Sequence, residues 1–502
     1  MLALQRCGYP TGRTDPQMPV QEKRTALSSF ELLLLLAAVV GARLLTARVS
    51  HVYDDAFITY RYALNFASGN GLMFNPGESW EPVLGTTSPG YAVLLAAFLK
   101  MGAEAVRASF VLNIACDVVS AGLLVALLGR ERLRCTLAVL AFACFPLLGR
   151  IAVGGMEAPV LCCTALAATW SLTRGRWVLA GVLSGLACTL RPEAVLLVLI
   201  AFWYARKTRR SLLQVVVPVA VIGVLYAAAL TAFYGHPIPQ SVLSKAERHG
   251  DSPIIATLWE ILSQAFVLDP LPLAALLPWV LFGLARALRD RTSTLRPFHI
   301  FALVIVCAYL AARPHTWGWY FYVPLVAWTV WLAYGIEPLV RACLRPVPVL
   351  DRWMPALLVG IALGGVGAVS FKLNNHVNER VYQPMAAWAE SVQLAESGDL
   401  ILASDIGAIG YYGAGRVLDS EGLTWPAAVD FANQGDIAAE FRPRYLLVTA
   451  VRKKLEPLRR HPIYAKYRPV ARFSALGHTD LEPALDDLAS SWQQDYIVFE
   501  LR

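Results

Sequence analysis

The sequence predicts an all-α polytopic membrane bundle followed by a small α/β domain, and three observations predict it. Of 502 residues, 57% are hydrophobic and only 16% charged, with a mean hydropathy of +0.51, whereas soluble globular chains carry about 25% charged residues. Eleven apolar stretches are long enough to cross a bilayer, or to pack as shorter helices inside a bundle, on a ruler of about 20 residues per crossing. The charge also divides: residues 1–371 hold 30 Lys and Arg against 19 Asp and Glu, while 372–502 hold 14 against 17. The excess of cations therefore belongs to membrane loops, and no basic stripe points to a nucleic-acid partner.

In chain order, a polar tail (1–28) precedes Glu31–Val49, which reads as a retained signal anchor because no small-residue cleavage site follows it. Residues 50–103 form a first external loop. Further spans follow near 104–128, 135–149, 158–173, 177–190, 194–205, 211–234, 271–288, 298–312, 320–340 and 353–371. Stretches 88–102 and 254–268 break the alternation and read as helices lying in, or re-entering, the outer interface. With the N-terminus inside, inner stretches carry 20 cations and outer loops seven, although Arg43, Arg48 and Arg107 near outer span ends run against the pattern. That bias places the transmembrane domain at 29–371 and an extracytoplasmic domain at 372–502.

In the tail, Val381–Glu396 has helical spacing, and Leu400–Ala403, Tyr445–Thr449 and Tyr496–Phe499 read as buried strands. Gly407, Gly410, Gly413 and Gly415 are too irregular for a dinucleotide fingerprint and have no strong βαβ context. All nine cysteines lie before residue 344, in the N-terminal tail or beside apolar segments, and read as small hydrophobes.

The chemistry collects in the outer loops. The first begins with Asp54-Asp55 just past a membrane helix; adjacent carboxylates there can act as a general base or hold a divalent cation such as Mg²⁺ or Mn²⁺. The alternative is a capping pair opening a helix at Ala56. Later outer loops carry Gly154-Gly155-Met156-Glu157, Arg191-Pro192-Glu193, the run Tyr234–Ala246 with Lys245, and Arg313–Tyr322 with His315, Trp317 and Trp319. Each alone is weak, since Arg-Pro-Glu can be a turn with a local ion pair and an aromatic run is often an interfacial belt. Together, five separated loops place ions at one membrane face, as a site at the mouth of a bundle requires. Asp117, mid-span with Asn113 one turn earlier, reads as a polar pair facing the bundle interior.

The run DDAFITYRYALNFASGNGLMFNPGE…VLGTTSPGY resembles the signature of GT-C fold membrane glycosyltransferases, in the branch of the mycobacterial terminal β-arabinofuranosyltransferase and its bacterial relatives. GGMEAPVLCCTALAA, AGVLSGLACTLRPEAVLL, YGHPIPQSVLSKA and, in the tail, SDIGAIGYYGAGRVLDSEGLT resemble the same group in the same order. The resemblance spans most of residues 50–430. It implies transfer of a sugar from a polyprenyl-phosphate donor to a glycan, lipid or protein acceptor outside the bacterial inner membrane, with Asp54 and Asp55 matching the paired acids of the first external loop. That branch typically has a Glu-Gly-Tyr-Thr type of sequence where this chain has Glu81-Pro82-Val83-Leu84-Gly85-Thr86-Thr87, which leaves the sugar open between arabinofuranose and others.

Such transfer needs a carboxylate to take the acceptor's proton and cations to meet the lipid phosphate. The expected assignment is Asp54 or Asp55 as base, with Arg191, Lys245 and Arg61 as phosphate partners. Glu157 and Glu193 would orient sugar hydroxyls or pair those cations, and His315, Trp317 and Trp319 would line the donor-tail entrance. The acid pair does not by itself require Mg²⁺ or Mn²⁺, because Arg191 and Lys245 could neutralise the phosphate instead. A mannosyltransferase of the same fold is the runner-up. A lipid or sugar transporter is the reading from another class; it calls for paired repeats, and none is visible.

Overall fold

The computed structural model describes residues 26–77, 81–243, 270–290, 293–313, 316–344, 354, 357–365, 376–488 and 494–502. Helix α1 (Ser29–Ala47) opens on a capping box, in which the Glu31 amide donates to Ser28 Oγ and the Ser28 amide donates to Glu31 Oε2. Helices α2 (Asp54–Ala67) and α3 (Pro89–Lys100) form the first loop, with Tyr91, Ala92 and Leu95 of α3 fully buried. The bundle continues with α4 (Ala105–Leu127), α5 (Arg132–Cys144), α6 (Pro146–Val153), α7 (Ala158–Thr173), α8 (Trp177–Leu190), α9 (Val195–Ala205) and α10 (Arg209–Tyr234). It closes with α11 (Pro270–Arg289), α12 (Arg296–Ala312) and α13 (Tyr322–Leu344), and residues 357–365 are also helical.

Four described helices are long and apolar enough to cross a membrane, or five if the bent pair α5–α6 is one span, and five shorter apolar helices pack among them. The expected count of eleven is thus a count of helices more than of full-length crossings. The expected single span at 135–149 is broken by 59°. Pro146 supplies no amide to the preceding turn and holds Phe145 extended. Stretch 88–102 is helical as α3, whereas 254–268 lies outside the described residues, as does part of 353–371.

Arg43, which ran against the charge pattern, is not a loop cation. It is wholly buried, its Nε donating to Asp117 Oδ2 at 2.6 Å and its Nη1 to the carbonyl of Ala143 at 2.8 Å, where the α5–α6 break frees acceptors. Tyr322 donates to the other Asp117 oxygen at 2.5 Å. Asp117 and Asn113 both face the bundle interior as expected, but they serve separate networks: Asn113 accepts from Tyr91 and donates to the Ala152 and Met156 carbonyls. Removing one partner of a buried ion pair strands the other charge. Asp117→Ala is expected to cost about 3–5 kcal/mol, read as a lower melting point in detergent, and Arg43→Met with Asp117→Leu should recover most of it.

The tail is a five-stranded mixed sheet with order β2-β1-β3-β5-β4. It comprises β1 (Leu400–Ala403), β2 (Arg416–Asp419), β3 (Tyr445–Thr449), β4 (Tyr467–Ser474) and β5 (Asp495–Leu501). β1 is parallel to β2 and β3, and β5 is antiparallel to β3 and β4. The helix expected over Val381–Glu396 is split into a π turn (Asn378–Tyr382), α14 (Gln383–Ser391) and a last turn after Gln393, which adopts a left-handed conformation. The glycine-rich segment does have a βαβ setting. The short helix α15 (Gly407–Gly413) is the crossover between parallel β1 and β2. Strands β2 and β4 escape a pattern reading because β2 has only two apolar residues, Val417 and Leu418, between Arg416 and Asp419, and β4 is half-buried through its middle. The eight described cysteines are all free thiols.

Candidate functional site

Tyr53 precedes α2 as its N-cap, with no side-chain cap, so neither Asp54 nor Asp55 occupies the capping position of that helix. The Tyr53 amide instead donates to the Gly154 carbonyl at 2.9 Å, which ties the start of α2 to the Gly154-Gly155 turn. Gly155 has φ +88° and a Cβ there would lie 2.1 Å from the Tyr60 hydroxyl oxygen, so only glycine lets α2 pack this closely. The first-loop motif and the GGMEAP motif thus meet in space.

Asp54 does cap a helix, but one in the tail domain. Its two carboxylate oxygens accept from the Gly407 amide at 2.9 Å and the Ala408 amide at 2.8 Å, at the start of α15. Desolvation, with a further contribution from the Asp55 charge, pushes its pKa up to about 6 against the pull of those two amides. Asp405, beside α15, is raised well above the usual carboxylate range by burial and by the neighbouring Asp54 and Asp55 charges.

Between the mouth of the bundle and the tail domain lies a cleft of about 540 Å³. Asp54, Asp55 and Asp405 line it together with Arg150, Trp317 and Trp319, and His51, Tyr53 and Tyr496 are among the other residues of its walls. Trp317 and Trp319 stack with their planes within 7° at 5.6 Å, and Tyr53 packs on Trp319 at 5.0 Å. Burial and the Arg150 charge lower the His51 pKa to about 4, so His51 is neutral at pH 7 and Arg150 is the cation of the described lining. Arg150, half-buried in the last turn of α6, makes no ion pair with another described residue.

The remaining expected residues lie elsewhere. Arg191 is buried in an ion cluster, bonded to Glu157 at 2.6 Å and to Glu193, which also accepts from Tyr309 at 2.6 Å. The Arg191 guanidinium sits 4.2 Å over the Tyr320 ring. Glu157 and Glu193 thus pair a cation, and none of the three lines the cleft. Arg61 is turned toward the tail domain, donating to the carbonyls of Phe74, Gly410 and Gly415. Lys245 and His315 lie outside the described residues. Arg150 and Asp405 went unrecognised in the sequence. A signal for both is present in the sequence: Arg150 is a cation one turn before Gly154-Gly155, and Asp405 lies in the SDIGAIG stretch that carries the family resemblance, although the residue pattern alone assigns it no role. Among the described residues, no group of three or more His, Cys, Asp and Glu side chains could hold a metal ion.

This architecture defines a class: a multi-pass helical membrane-type bundle with a mixed α/β domain at its end. The chain is similar to ArnT from Cupriavidus metallidurans bound to undecaprenyl phosphate, with a TM-score of 0.61 at 12% identity over 94% of this chain and 98% of that one. It is likewise similar to the apo state of the same protein, with a TM-score of 0.55 at 14% identity over 93% and 97%. At these identities the likeness is one of fold. Residues 374–497 match the family described as Domain of unknown function (DUF8728). No curated protein matches the chain.

Proposed function

We propose that this chain is a polyprenyl-phosphate-dependent glycosyltransferase that transfers a sugar to a hydroxyl of a cell-envelope glycan or lipid at the outer face of the membrane. The observation that carries it is the convergence of Asp54, Asp55, Arg150 and the Trp317–Trp319 stack in one cleft at the mouth of an ArnT-like bundle. ArnT has been solved with undecaprenyl phosphate, and a donor of that chemistry suits a cleft lined by Arg150 and an apolar aromatic wall. The positive-inside bias supports an orientation with the N-terminus in the cytoplasm and residues 372–502 outside. Arabinofuranose and mannose are the two candidate sugars, the departure from the arabinofuranosyltransferase pattern over residues 81–87 leaving the choice open.

In this reading the acceptor oxygen attacks the anomeric carbon as the bond to phosphate oxygen breaks. Asp55 takes the acceptor's proton, and Arg150 meets the charge that develops on the departing lipid phosphate. The indole stack would guide the first isoprene units. Asp54 holds α2 against α15 and thereby sets where Asp55 stands.

Purified protein supplied with radiolabelled polyprenyl-phosphate arabinofuranose or mannose and a cell-envelope acceptor should form labelled product. Uptake of intact donor into sealed vesicles with no product would favour the transporter and sink this reading. Arg150→Ala is expected to raise the donor KM by about 10- to 100-fold, the worth of a charge-assisted hydrogen bond of about 1.5–3 kcal/mol, while the acceptor KM stays put. An unchanged donor KM would remove Arg150 from the phosphate site.

A further inference from the structure

A second cleft, of about 580 Å³, shares no lining residue with the acid cleft. Its volume is within the range of small-molecule sites, about 300–1,000 Å³. One wall is Glu81 and Val83 of the first external loop, and the other is the β2 edge of the tail sheet with Arg416, Trp425 and Phe441. The geometry points to a binding groove for the acceptor's saccharide chain, with Trp425 as its stacking platform.

Three features argue for a saccharide. The first is a fixed aromatic surface. Trp425 is half-buried, inclined by 27° to Phe431 at 5.9 Å and nearly perpendicular to Phe441 at 5.1 Å, while Phe441 is 41% exposed. The C–H face of a sugar ring carries partial positive charge and lies well on the negative face of an indole, and a ring already held costs little entropy to use. The loop that carries it is locked by Asp419, whose carboxylate accepts from the Glu421 amide at 2.8 Å and the Thr424 amide at 2.7 Å.

The second feature is polarity. Glu81 and Arg416, both exposed, supply an acceptor and a donor of hydrogen bonds at the groove's rim, the complement to hydroxyls that a lipid tail would not need. The third is the coupling to the acids. Tyr62 of α2 donates to the Val83 carbonyl at 2.5 Å and accepts from the Gly85 amide at 2.7 Å, so the helix that begins with Asp54-Asp55 also anchors this wall. At 1.5 Å per residue Tyr62 stands about 11 Å along α2 from the acid pair.

The assignment rests on the glycosyl-transfer reading for its word "acceptor", and the test separates the two. Fluorescein-tagged arabinofuranose and mannopyranose hexasaccharides are titrated into the full-length detergent-solubilised protein and followed by anisotropy. At least one should bind saturably, Trp425→Ala should weaken it by about 2- to 12-fold, the worth of an aromatic stacking contact of about 0.5–1.5 kcal/mol, and Trp425→Phe should restore most of it. Asp55→Asn should bind the saccharide like the native chain even though transfer is lost. If Trp425→Ala lowers the melting point, Arg416→Ala at the exposed strand edge carries the same expectation of weakened binding. Binding without any transfer would keep the groove and overturn the enzyme reading. Transfer by the native chain with no hexasaccharide binding, or with Trp425→Ala and Arg416→Ala binding like the native chain, would overturn the groove.

Discussion

Asp55→Asn is expected to lower kcat for transfer by about 10²–10⁴-fold, the usual worth of a positioned general base. Asp54→Asn is expected to behave differently although the residues are neighbours. Both oxygens of Asp54 are occupied by the Gly407 and Ala408 amides, and an Asn side chain can accept only one of those two bonds while turning an N–H toward the other donor. Leaving one backbone N–H unpaired at a half-buried junction costs about 1–3 kcal/mol. Hydrogen exchange at the start of α15 should therefore accelerate in Asp54→Asn and stay native in Asp55→Asn. Gly407 tolerates no such change from its own side, because a Cβ there would stand 1.9 Å from the Asp54 carbonyl oxygen. Full transfer activity in Asp55→Asn, together with native exchange and lost transfer in Asp54→Asn, would reverse the two roles.

How far the sequence anticipates this site depends on what each residue is bonded to. Apolar runs and charge bias are additive along the chain, so the helices and the buried strands β1, β3 and β5 are legible from local pattern. Asp54-Asp55 and the Trp317-Gly-Trp319 run are legible too, because unusual residue types at a membrane face stand out against an apolar background. The fate of a cation is not legible. Arg43, Arg61, Arg150 and Arg191 look alike in the sequence, yet Arg43 closes a helix break, Arg191 is neutralised by two glutamates, Arg61 reaches three carbonyls and Arg150 faces the cleft. Their partners lie up to hundreds of positions away, and no periodicity records them. The same holds for α15: a glycine-rich turn reads as a failed nucleotide motif until the carboxylate that its amides bind arrives from another domain.

Arg61→Leu separates the two roles that residue has been given. As a phosphate ligand, Arg61 would raise the donor KM on removal and leave the tail domain in place. The contacts of its guanidinium call for the opposite. It donates to the Phe74 carbonyl at 2.5 Å, to Gly410, and to Gly415 at 2.7 Å, and it lies 4.6 Å over the Phe74 ring. Beside it, Asn75 clasps the edge of β2 as a strand would, donating to the Val417 carbonyl at 2.8 Å and accepting from its amide at 3.2 Å. Leucine fills part of the volume but donates nothing, and each carbonyl stranded at this buried junction costs about 1–3 kcal/mol. Allowing for water reaching some of them, Arg61→Leu is expected to loosen the tail domain by about 3–5 kcal/mol, with Arg61→Lys recovering little because an ammonium cannot span three acceptors laid out for a planar fork. The readout is faster hydrogen exchange and protease cleavage across 407–417, followed by a fall in kcat at unchanged donor KM, since Asp54 loses its seat on α15 when the domain shifts. A raised donor KM with native protection at 407–417 would return Arg61 to the phosphate.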